Sequence, residues 1–241
     1  MARPALSPIP PLAEILQSLE ALATPRDLAN LQRFGITSAN ALGVSIANVQ
    51  KLARGIGCDH ATAEALWTSG VYEARLLAAY VDDPAAVTVA QMDRWCRDFD
   101  SWGVCDTLCF VLFDRTPHAW RCVDRWARAR HEFVRRAAFA LMASLAVHDK
   151  ISEDAPFSGR LPLVEEAAAD ERDLVRKGVS WALRTTGRRN VALHGAALAV
   201  ARRLAATSDA GSRWVGKDAV RELTGPIVAR ALQRRRAAKK R

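Results

Sequence analysis

Trp102 and Asp106 stand four residues apart in the stretch DSWGVCD, within an alanine- and arginine-rich, helix-prone chain. Four residues is about one helical turn, so the ring and the carboxylate share a face. An exposed helix gains little from such a pair, and a core helix disfavours the acid. A second candidate is Trp181, set among Arg176, Lys177 and Arg184 in RKGVSWALR. A tryptophan on a basic helix can stack on a nucleobase while the cations hold phosphates. The same residues also fit a core tryptophan whose helix has an exposed basic side.

Other catalytic signatures are absent. RGIGC has no GK[ST] after it to cradle a phosphate, and no GxSxG or HExxH occurs. The histidines (His60, His118, His131, His148, His194) are spread out, none one turn from another, and read as surface or loop residues. His148 and Asp149 are adjacent, but consecutive residues diverge on a helix. The cysteines (Cys58, Cys96, Cys105, Cys109, Cys122) form no CxxC pair, so buried free thiols are expected, with no disulfide, metal or cofactor.

The net charge of +9 is unevenly placed. Residues 1–174 carry 18 Lys/Arg against 23 Asp/Glu, while residues 175–207 carry seven basic residues and no acid. The stretch 115–136 holds seven basic residues and two acids, and the end of the chain, RRRAAKKR, is basic again. Two basic blocks inside a folded region suggest a polyanion-binding face. The tail is either a source of nonspecific affinity or a solvated end. No apolar run is long enough to span a bilayer, and the N-terminal residues lack a basic-then-apolar signal pattern, so a cytoplasmic protein without a membrane partner is expected, a monomer by default.

Helical periodicity dominates, and strand-like alternation is scarce. Amphipathic helices are expected at 11–22, 45–54, 61–67, 71–81, 89–99, 106–113, 117–127, 132–147, 161–169, 172–186, 191–206 and 216–223. Thr88 and Thr116-Pro117 read as helix starts, Gly187 as a helix stop, and DKISEDAPFSG as the longest loop. FVRRAAFALMASLA and LVRKGVSWALRTTG resemble each other at an offset of 41 residues, within the range of HEAT-type repeats. The expected fold is all-α, a curved superhelical stack of antiparallel helix pairs. Its repeats would bring Arg135, Arg136, Arg176 and Lys177 onto one concave surface.

Five runs, RFGITSANALGVS, ALWTSGVYEARLLA, FDSWGVCD, FVRRAAFALMA and SWALRTTGRRN, resemble those of DNA alkylation repair proteins, the AlkD-like HEAT-repeat DNA glycosylases, in order and spacing over about residues 30–224. The resemblance implies an N-terminal segment 1–30 of uncertain alignment, one glycosylase domain at 31–224 and a basic tail at 225–241. It implies release of cationic N3- or N7-alkylated purines from duplex DNA, without base flipping, strand cleavage or a cofactor. The family's acid falls on Asp106, its tryptophans on Trp102 and Trp181, and its repeat-helix arginine on Arg136. Arg136, Arg135, Lys177, Arg184 and Arg188 are then the expected DNA contacts. Gly103 stands where related sequences often carry a larger residue. Such chemistry suits these residue types: a cationic base needs no acid to leave, and a carboxylate stabilises the oxocarbenium-like sugar left behind. The competing expectation is a HEAT-type scaffold that binds DNA, RNA or a protein and catalyses nothing.

Overall fold

Short polar residues start seven of the helices by accepting a free N–H group of the first turn. The computed structural model describes residues 9–239, and the chain divides into two units, Met1–Val87 and Thr88–Arg241. The first unit holds Leu12–Ala21 (α1), Pro25–Arg33 (α2), Ile46–Ile56 (α3), His60–Thr68 (α4) and Tyr72–Val81 (α5). Thr24, Ser45 and Asp59 cap α2, α3 and α4. Periodicity passed over α2 because none of its residues is buried.

The loop before α3 is tied down by a buried acid. The Glu73 carboxylate on α5 accepts the N–H groups of Leu42 (2.9 Å), Gly43 (2.7 Å) and Val44 (3.1 Å). Gly43 makes this possible, with φ at 88° and no side chain. A Cβ there would lie 2.7 Å from Leu28 and from the Thr24 carbonyl, so no other residue fits.

The second unit holds Val89–Arg97 (α6), Trp102–Val111 (α7), a 3-10 turn at Phe113–Arg115, Ala119–Trp126 (α8) and Glu132–His148 (α9). There follow Ala155–Ser158 (α10), Leu161–Ala167 (α11), Asp173–Arg189 (α12), Val191–Ala205 (α13), Ala210–Leu223 (α14) and Pro226–Lys239 (α15). Two layers result: α7, α9, α12 and α14 pack in succession, and α6, α8, α11 and α13 back them. Both helices of the matched windows, α9 and α12, are 17 residues long. They begin at Glu132 and Asp173, which keeps the offset of 41. No strand occurs among the described residues.

The centre of this unit is α9, buried without interruption from Arg136 to Ala146. Cys105 and Cys109 of α7 donate to the Phe133 and Ala137 carbonyls of α9 at 3.8 and 3.5 Å. Four of the five thiols are buried as expected, while Cys58 is exposed. The backing layer is stitched by ion pairs: Arg128–Glu166, Arg160–Asp124 and Arg203–Glu165.

Several expected boundaries move. Ser101 caps α7, accepting from the Val104 N–H, so that helix begins at Trp102 rather than Asp106. Thr116 is not a helix cap; its hydroxyl donates to the Phe113 carbonyl at 2.8 Å, and α8 starts at Ala119. Gly187 does not end a helix. It lies inside α12, where a Cβ would meet Leu223 at 2.7 Å, so close packing explains it rather than a left-handed turn. Asn190 instead separates α12 from α13, its side chain accepting from the Leu193 N–H. The loop 149–159 contains the short α10, and the expected tail forms α15, which buries Val228 and Leu232. Residues 240–241 lie outside the described residues.

Candidate functional site

Trp102, Asp106 and Phe110 follow one another at four-residue intervals along α7, each half-buried. On α12, Lys177, Trp181, Arg184 and Arg188 form a similar stripe. Between them, α9 offers Arg136, Ala140 and Ser144 at the same spacing. The three helices are cross-linked where these stripes meet.

The first link is ionic. Arg136 Nε donates to Asp106 Oδ1 at 2.9 Å and Nη2 to Oδ2 at 2.7 Å, a planar two-bond pair. Its remaining nitrogen, Nη1, donates to the Leu174 carbonyl of α12 at 2.6 Å. One guanidinium therefore ties three helices together. The arginine side chain is 7% exposed and that of the aspartate 18%, so the acid keeps some contact with solvent. Burial pushes the Asp106 carboxyl above its ordinary value, and the Arg136 charge opposes that shift.

The second link is aromatic. Phe110 and Trp181 stack with their centroids 4.7 Å apart and their planes within 2°. The stack covers one face of the half-buried Trp181 ring and orients it.

The third link went unrecognised in the sequence. Ser144 Oγ donates to Asp114 Oδ2 at 2.5 Å, and His148 Nδ1 lies 2.6 Å from the same oxygen. The His148 ring also meets Phe110 edge-on at 5.4 Å. Serine, histidine and aspartate together do not make a nucleophile here. One ring nitrogen faces both partners, and the hydroxyl is fully buried and donates to the acid. Asp149, its neighbour, turns away to accept the Ile151 and Ser152 N–H groups.

The expected DNA cations all have carboxylate partners. Arg135 pairs with Asp170 at 2.9 Å, Lys177 with Asp173 at 3.7 Å and Arg188 with Glu222 at 3.1 Å. Arg184 bonds Glu222 and lies 3.3 Å from Asp218. The basic block 175–207 is thus partly neutralised by α14, which follows it in sequence. Lys177 and Arg188 remain the most open, with side chains 57% and 52% exposed. Arg136 departs furthest from expectation: buried on Asp106, it is placed to hold the acid rather than to grip phosphate.

These layers of paired helices define a HEAT-like helical repeat protein. A family model described as DNA alkylation repair enzyme matches residues 15–223, and the chain belongs to that family. A solved structure shares the fold at a TM-score of 0.71 and 20% identity, covering 88% of this chain and 95% of its own. It is described as belonging to a new family of proteins related to the HEAT-like repeat DNA glycosylases with affinity for branched DNA structures. A designed armadillo repeat protein aligns at 13% identity and a TM-score of 0.38, over 89% of this chain and all of its own. No curated protein matches the chain. Among the described residues, no helix is long and apolar enough to cross a membrane.

Proposed function

We propose that this chain is a monofunctional DNA glycosylase, hydrolysing the N-glycosidic bond of cationic N3- and N7-alkylated purines in duplex DNA. Membership of the repair family supports the reading. The observation that carries it is the placement of Asp106: held by Arg136, flanked along α7 by Trp102 and Phe110, with its side chain still 18% exposed. An alkylated purine leaves with the bonding electrons as a neutral base, and positive charge appears on the deoxyribose. The Asp106 carboxylate stabilises that charge, and water attacks the sugar to leave an abasic site and a proton. Trp102 and Trp181 pack the sugar and backbone, where rings favour cations by roughly 0.5–2 kcal/mol. Lys177 and Arg188 exchange their acidic partners for phosphates, with Arg135 and Arg184 adding positive field.

Trp181 depends on Phe110 for its orientation. Phe110→Ala is expected to lower base release about two- to tenfold, matching the roughly 0.5–1.5 kcal/mol of an aromatic pair, with unchanged duplex binding. Single-turnover rates beside anisotropy titrations check both halves.

The charge state of Asp106 gives a pH signature. Its raised value means the catalytic anion is lost at a pH above the 3.8 of an ordinary aspartate. A group raised by folding stabilises the fold in its protonated form, so this protonation does not unfold the chain. Glu165 and Glu166, hydrogen-bonded to Arg203 and Arg128, are held low and lose their contribution only as pH falls through values below 4.5. Base release, corrected for spontaneous loss, is therefore expected to decline on acidification before the melting temperature does. Coincident loss of activity and fold would remove Asp106 as the titrating group.

A DNA-binding scaffold without catalysis is the second reading. Both Asp106 oxygens are occupied by Arg136, an arrangement that also serves as a structural cross-link. Release of methylated base by the purified chain in metal-free buffer separates the two.

A further inference from the structure

A cavity of about 1110 Å³ lies where the C-terminal ends of α9 and α12 meet α14 and α15. Eleven residues of α9 separate Arg136 from Val147 at its edge, about 16 Å along the helix axis, so the cleft lies beyond the Asp106 carboxylate, with Arg188 at the border of the two. We propose that this cleft binds an unpaired DNA strand, with Arg189 as a stacking plate for a base and Lys150 and Arg235 holding phosphates.

The cations carry the inference through the partners they have. Lys150 donates to the Val147 carbonyl, and Arg235 to the carbonyls of Arg188 and Arg189. Arg189 donates to the Asp149 carbonyl and, at 2.8 Å, to that of Ser152. At Lys150 and Arg235 the carbonyls orient the cation but leave its net charge uncompensated, whereas Arg189 also feels the Asp149 carboxylate. Arg188 and Arg221 also line the cleft, paired with Glu222 and Asp218. The acids lining it are Asp154, which accepts from Asn190 at 2.5 Å, and Glu222. With Asp218 beside Arg221 and the Asp149 carboxylate acting on Arg189, five cations stand against four acids, and the excess lies at Lys150 and Arg235, which gives that side of the cleft a positive field.

Arg189 supplies a second, independent feature. Its guanidinium sits 4.2 Å above the Phe157 ring, with its in-plane nitrogens fixed by the two carbonyls. A plate held on one face and along its edges can receive a flat ligand on the other, and arginine planes stack on unpaired bases in this way. Val228 and Leu232 add apolar lining beside it. A duplex keeps its bases stacked inside and cannot offer one to such a plate; an unpaired strand can. The proposal rests on the reading that the chain binds DNA and goes beyond it in site and substrate form.

The test uses the full chain with a fluorescein-labelled ten-residue oligothymidylate, read by anisotropy. Arg235→Glu and Lys150→Glu are each expected to weaken binding about tenfold or more. The salt slope should become shallower by about 0.7 for each phosphate no longer held. Base release from a blunt N7-methylguanine duplex and the melting temperature should stay at wild-type values in Lys150→Glu, whose side chain is exposed. Unchanged oligothymidylate binding in both variants would overturn the proposal. So would competition by thymidine monophosphate at equal concentration, which would mark a free-nucleotide site, or equal competition by blunt duplex. Wild-type chain that releases no base, while the two variants still bind oligothymidylate more weakly, would fail as a glycosylase and keep the cleft.

Discussion

Asp106→Asn is expected to bind N7-methylguanine duplex as tightly as the wild-type chain, or more tightly, and to release the base more slowly by on the order of 10² or more. Asparagine keeps the size of the side chain and one oxygen for Arg136, so the fold around α7 is retained. It removes the negative charge, and with it the interaction that grows as the sugar becomes cationic. A group that acts only on that developing charge lowers the rate without weakening ground-state binding. Removing an anion from a phosphate-binding face also relieves repulsion, which accounts for tighter binding. Full release by this variant would end the role assigned to Asp106.

Arg136→Ala should show a different pattern, with stability falling before chemistry is considered. Its guanidinium makes three hydrogen bonds, joining α7, α9 and α12. Removing it leaves Asp106 a largely buried, uncompensated carboxylate and the Leu174 carbonyl without that donor. Breaking a buried pair from one side costs about 3–5 kcal/mol, a large share of a domain's net stability. The expected result in urea is a midpoint lowered accordingly with an unchanged slope, together with an absence of base release. The partner variant Asp106→Leu with Arg136→Met removes both charges, and should recover much of the stability and none of the activity. If Arg136→Ala instead keeps its stability and only flattens the salt dependence of DNA binding, the arginine is a phosphate ligand and not the holder of the acid.

The two arginine outcomes show where sequence reading stopped. The spacing of Trp102 and Asp106 was legible because one helical turn is a local fact. Arg136 is 30 residues away, and its proximity depends on how α9 packs against α7. Counted along the chain, Arg136 belonged to a basic block; in the fold it is spent on one carboxylate. The same limit applies to residues 175–207, whose missing acids arrive from Asp218 and Glu222 on the following helix. Repeat structure was readable from the two matched windows, since α9 and α12 obey the same apolar period. Gly187 was misread because a glycine that ends a helix and one that lets Leu223 approach look identical in sequence. Phe110 lies one turn past Asp106 and His148 one turn past Ser144, but their partners Trp181 and Asp114 come from other elements, and only the packing of α7 and the turn after it against α9 and α12 brings them together.

The most direct measurement follows free N3-methyladenine and N7-methylguanine from duplex DNA held with excess purified chain in chelator-containing buffer. Expected is release of the intact methylated base well above the spontaneous rate, leaving strands that break only on later alkali treatment. Tight binding of the same duplex with no base freed beyond the spontaneous background would contradict the glycosylase reading and leave a repeat protein that only holds DNA.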